Sequence, residues 1–105
     1  MDDLDKENRL VLAVVQALLG VISPNFQAVA LVRGRSEWTL HVALRREDEV
    51  DRDELADVPG EIEAQLLPLD LALTTEVWIG DDWVASDWRG KEGRLIFSAR
   101  AIGVS

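Results

Sequence analysis

Cysteine is absent from the 105-residue chain, so neither a disulfide framework nor a thiolate metal site is available to it. Histidine occurs once, which excludes histidine-rich metal clusters and leaves His41 as the single candidate imidazole base. Positive charge is scarce: 11 Lys and Arg stand against 20 Asp and Glu, a formal net charge of −9. A surface that negative repels nucleic acid and anionic membrane and attracts basic proteins. No apolar run is long enough to span a bilayer. The longest, from Leu10 to Ile22, is interrupted by Gln16 and Gly20, and it follows Asp2, Asp3, Asp5 and Glu7 where a signal peptide would carry positive charge. A cytoplasmic location is therefore expected.

Signatures of chemistry are missing as well. "RGRS" and "WRGKEG" lack the spacing and context of a phosphate-cradling glycine loop. Asp81, Asp82 and Asp87 do not follow the alternating oxygen-donor pattern of a calcium loop, and the nearest glutamate, Glu92, comes late. His41 sits on a strand with no serine motif beside it, as an ordinary residue on an open sheet face. No catalytic residue, metal or cofactor is expected. A small enzyme or ligand-binding domain using Asp81, Asp82 and His41 is the weakest of three readings.

What is present is the composition of a globular protein, 48 % hydrophobic and 30 % charged, whose apolar content is too high for disorder. One domain over residues 1–105 fits this length. Helical spacing runs from about Asp3 to Leu19, with Val11, Val14, Val15, Leu18 and Ile22 as the apolar stripe and Leu12 and Leu19 widening it. Asp2 or Asp3 can cap its start, Gly20 suits a left-handed terminating position, and Pro24 prevents resumption.

"FQAVALV" (26–32) is apolar on both faces, as an interior strand would be. "EWTLHVAL" (37–44) alternates, with Trp38, Leu40, Val42 and Leu44 opposite Thr39, His41 and Ala43. The short "RGRS" between them predicts an antiparallel hairpin. A second helix follows an acidic start, with Asp51 and Glu54 resembling a capping box and Leu55, Val58, Ile62 and Leu66 as its apolar face. Pro59 and Gly60 in its middle predict a kink, or two short helices meeting there.

Extended segments return at 69–79, with Leu69, Leu71, Leu73, Val77 and Ile79 opposite Ala72, Thr74, Glu76 and Trp78. The last lies at 94–101, with Leu95, Phe97, Ala99 and Ala101 on the core side. The expected fold is an α+β two-layer sandwich in αββαββ order, with a four-stranded, mainly antiparallel sheet and both helices on one face. The other face would carry Val29, Leu31, His41, Thr74, Trp78, Ile96 and Arg100. That mixture suits a docking partner or a second copy, so a self-associating module or homodimer is the second reading.

The acidic run from Glu47 to Asp57 reads first as a solvated helix start and second as a patch aimed at a basic partner. The connection "VWIGDDWVASDWRG" (77–90) holds three of the four tryptophans among three aspartates. One or two of these rings folding back over the core is a natural outcome for so much apolar area; burying all three is not expected in so small a domain. Tryptophan is enriched at binding hot spots, and carboxylates at a rim pair with a partner's Lys or Arg. Glu76, Trp78, Asp81, Asp82, Trp83, Asp87 and Trp88 are therefore the candidate partner-binding residues, with the indoles projecting outward.

The order of "ALLGVISPNFQAVALV", the strand pair, "DRDELADVPGEIEAQL" and a final strand pair resembles small αββαββ immunity proteins of bacterial polymorphic-toxin and contact-dependent growth inhibition systems. The Pro59–Gly60 break departs from the continuous second helix of that pattern. The resemblance implies a cytoplasmic, non-enzymatic inhibitor that binds a cognate toxin domain, often a nuclease, and covers its active site or substrate channel. A toxin with a basic surface is the partner that this resemblance and the charge imbalance both favour, with no direct contact to nucleic acid.

Overall fold

Two helices and a four-stranded mixed sheet form the α+β fold of the computed structural model, which describes residues 3–66 and 72–99. The elements run α1 (Asp3–Leu18), β1 (Phe26–Arg33), β2 (Trp38–Leu44), α2 (Glu49–Gln65), β3 (Leu73–Ile79) and β4 (Arg94–Ser98). A 3₁₀ helix, Arg89–Glu92, interrupts the expected αββαββ order ahead of β4. The candidate cap Asp2, the strand residues Leu69 and Leu71, and Arg100 and Ala101 lie outside the described residues.

The spatial order is β3-β2-β1-β4. β1 is interior, as its doubly apolar sequence implies, and pairs antiparallel with β2 and with β4. The Gly34 N–H donates to the Glu37 carbonyl at 2.8 Å, closing the β1–β2 hairpin. The expectation of a mainly antiparallel sheet is corrected by β3, which runs parallel to β2. The reason is the connection: α2 carries the chain back along the sheet, so the next strand starts at the same end as the last. β3 and β4 therefore occupy opposite edges instead of forming a second hairpin.

Leu10, Val14 and Leu18 of α1 share one core cluster with Leu55, Val58 and Ile62 of α2 and with Val29, Leu31, Leu40, Val42 and Leu44 of the sheet. Val29 and Leu31 thus face the helices, not the opposite side, and Ile96 packs against this cluster too. A register shift between Val29 and Ala30 lets Ile96 and Phe97 both reach the core, while Leu95 stays exposed. Val15, expected in the apolar stripe of α1, is exposed, and so are Leu12 and, just past the helix end, Leu19, which were expected to widen it. In a run with apolar residues on every side of the helix, periodicity cannot choose the face; contact with the sheet does.

Gly20 does not take the left-handed conformation expected of it. α1 instead ends in a turn closed by the Val21 and Ile22 N–H groups donating to the Leu18 carbonyl at 2.9 and 3.0 Å. The start of α2 lies one turn earlier than the capping-box reading. Asp48 is its N-cap and accepts from the Asp51 N–H at 3.0 Å. Asp51 is buried, and its carboxylate accepts from Asn25 Nδ2 at 2.9 Å, while Asn25 also brackets Arg46 through its carbonyl and its N–H. This clip ties the entrance of β1 to the exit of β2 and the first turn of α2. Through Pro59 the helix continues unbroken over 17 residues, so the chain does not divide into two short helices there.

Candidate partner-binding surface

Alternation along the strands places Ala28, Ala30, His41, Ala43, Glu76 and Trp78 on the sheet face away from the helices. Three alanines side by side leave a shallow bed, and the chain between β3 and β4 folds back over it. Ala28, Ala30, Ala43 and Trp88 form a second buried cluster, against which Trp78 and Trp83 pack. The Trp83 and Trp88 rings meet edge to face, with centroids 5.1 Å apart and planes at 71°, a favoured aromatic geometry. Trp88 is only 3 % exposed, the fold-back that the sequence allows for one or two of these rings, while Trp78 and Trp83 are partly buried. His41 is likewise buried under this cover and does not lie on an open face. The face proposed for self-association is therefore roofed over its centre.

The connection is anchored at several points. Buried Gln27 of β1 donates through Nε2 to the Gly80 carbonyl, and the Gly80 N–H donates to the Leu44 carbonyl at 3.0 Å. Ser86 Oγ donates to the Trp83 carbonyl at 2.8 Å and accepts from the Trp88 N–H at 3.0 Å. Lys91 Nζ donates to the carbonyls of Val84 and Ser86. Two glycines are required by contact: a Cβ at Gly80 or Gly90 would come within 3 Å of the Trp78 or Trp88 ring, respectively. The sequence carries this signal twice, as Trp78-Ile79-Gly80 and Trp88-Arg89-Gly90, each ring lying over the glycine two residues on.

At the side of the roof is a depression lined by His41, Glu76, Val77, Trp78, Asp87, Trp88 and Arg89. His41 and Glu76 are neighbours in register on β2 and β3, as are Ala43 and Trp78. Burial lowers the pKa of His41 below its ordinary 6.5, with Arg89 acting in the same direction and Glu76 and Glu92 opposing. Arg89 Nε donates to Glu92 Oε2 at 3.1 Å. Among the described residues, the buried indole Nε1 atoms of Trp83 and Trp88 have no hydrogen-bond partner.

The fold thus brings Glu76, Trp78, Asp87 and Trp88 of the sequence-derived set to one depression. Asp81 and Asp82 are exposed outside it, and the Asp82 carboxylate accepts from the Val84 N–H at 3.1 Å. Trp83 lies outside the lining as well, supporting Trp88 from the side. Sequence reasoning missed Arg89 and the involvement of His41, because it treated this face as open. Of the acidic run, Asp48 and Asp51 serve the structure, Glu47 pairs with Arg52 at 2.5 Å, and Glu49, Asp53, Glu54 and Asp57 remain exposed. Among the described residues no three His, Cys, Asp or Glu side chains gather to hold a metal ion, and no helix is long and apolar enough to cross a membrane.

Residues 7–78 match the model of the MafI2 immunity protein family. The matched stretch ends at Trp78, so the anchored connection and β4 follow it. Comparison with curated proteins gives no match.

Proposed function

Since the chain belongs to the MafI2 immunity protein family, we propose that it is a cytoplasmic, non-enzymatic immunity protein that neutralises a cognate toxin domain, a nuclease with a basic surface, by covering its active site or substrate channel. The match over 7–78 is the observation that carries this reading. Physical support comes from the charge. A nuclease site must be positive to hold phosphate, and a protein of net charge −9 occupies the same field in place of nucleic acid.

The contact surface we propose combines the acidic side chains Glu76, Asp81, Asp82 and Asp87 with the partly buried rings of Trp78 and Trp83. Trp88 acts from beneath, fixing the shape that the partner meets. An anchored backbone suits such a surface, because less freedom is lost when the complex forms. Co-production of this chain with its proposed cognate toxin domain tests the reading. Growth is expected to be restored by the chain and not by an unrelated acidic protein of similar size. Unrelieved toxicity, with both proteins present in soluble form, would contradict it.

A further inference from the structure

The geometry points to a guanidinium-binding cleft: the depression walled by His41, Glu76, Trp78, Asp87, Trp88 and Arg89 accepts one arginine side chain of the partner protein. This rests on the reading that the partner is a basic protein, and it names the side chain that the surface is shaped to hold.

One polar side chain in the wall, His41, is more than nine-tenths buried, and its imidazole makes no hydrogen bond among the described residues. Buried polar groups are normally satisfied, so an imidazole nitrogen left open beside a depression marks a place where a ligand's N–H completes the set. The sign of the ligand follows from the rim. Glu76 and Asp87 are exposed carboxylates, and Arg89, the cation among the described lining residues, is already held by Glu92 at 3.1 Å. Two carboxylates against a guanidinium that Glu92 already pairs leave the cleft negative, which disfavours phosphate and carboxylate guests.

His41 adds selectivity. Its lowered pKa, caused first by burial, keeps the imidazole neutral at pH 7, so it presents a ring nitrogen as an acceptor and does not repel a cation. Trp78, half-buried at the edge, offers an indole surface to a planar cation. A guanidinium matches this arrangement better than an ammonium. It stacks on an aromatic face while its N–H groups fan out in the plane toward several acceptors, whereas an ammonium is compact and more strongly hydrated.

The test uses the full chain, isotope-labelled for NMR and titrated with N-acetyl-arginine amide and, separately, with N-acetyl-citrulline amide, its uncharged counterpart. Arginine is expected to shift the indole N–H resonances of Trp78 and Trp88 and the ring resonances of His41, with no response to citrulline. Glu76→Gln/Asp87→Asn, at two exposed positions, should abolish the response while leaving the rest of the spectrum in place. Equal response to both compounds, no response, or an unchanged response in the double variant would overturn the cleft. In a second arm, the same variant should bind the cognate toxin domain about tenfold more weakly or worse. Equal affinity of variant and wild type would remove the cleft from the interface. If neither binds the toxin, the immunity reading fails, and the arginine titration still decides what the cleft holds.

Discussion

Trp88 fills the bed left by Ala28, Ala30 and Ala43, and its edge-to-face contact with Trp83 locks both rings in place. Replacing it with alanine removes the centre of the second cluster and leaves a void above three small side chains. Trp88→Ala is expected to lower stability by about 3–5 kcal/mol. Urea denaturation measures this; a loss below about 1 kcal/mol would show that the roof contributes little to the fold. Beneath the same roof, His41 couples stability to pH. Its folded pKa lies below 6.5, so the unfolded chain takes up the proton first as pH falls. This contribution is level above the unfolded value of about 6.5 and becomes increasingly unfavourable below it, until the folded pKa is passed. Denaturation midpoints between pH 7 and pH 5 should therefore fall less steeply in His41→Gln than in the wild type. Parallel slopes would indicate that the imidazole titrates equally in both states.

At the scale of elements, the kind of each segment was largely legible and its orientation was not. β1 read as an interior strand because apolar residues occupy both faces, and it does sit between β2 and β4. The same property hid its parity: with both faces apolar, alternation could not say which side met the helices. Side-chain size holds the missing information, since the larger Val29 and Leu31 meet helices and the small Ala28 and Ala30 meet indoles. The direction of β3 was hidden for another reason. Whether a helix returns the chain parallel or a turn reverses it depends on packing across the sheet, which no local pattern records.

Pro59 shows a conflict between local rule and global fold. It has no N–H to donate to the Leu55 carbonyl, yet α2 continues through it, with Leu55, Val58 and Ile62 buried on either side. Tertiary burial of that face outweighs the missing bond. Pro59→Ala is accordingly expected to raise stability by about 1 kcal/mol or more, allowing for the greater freedom it gives the unfolded chain. A rise in the thermal midpoint checks this. A fall would mean that the proline ring itself contributes essential packing.

Across the whole molecule, the candidate site was half visible. Glu76, Trp78, Asp87 and Trp88 were legible as a cluster of indoles and acids close in sequence and converge on one depression. Asp81, Asp82 and Trp83, equally close in sequence, lie outside it. What sequence could not supply was the fold-back of residues 80–93, which converts an open sheet face into a roof and buries Trp88 within it. The net charge of −9 acts at this largest scale, where it would steer the proposed basic partner from beyond contact distance. Steering by exposed charges is screened over about 10 Å at 0.1 M salt, so the association rate should fall as ionic strength rises while the dissociation rate changes less.

Titration calorimetry of the full chain against the proposed cognate toxin domain tests the central claim most directly. Protection of a cell from a few toxin molecules requires a complex with a dissociation constant of roughly 1 nM or below, about −12 kcal/mol, and the account predicts binding of that strength. An absence of binding heat at several temperatures, or a dissociation constant of about 1 µM or weaker, would contradict it.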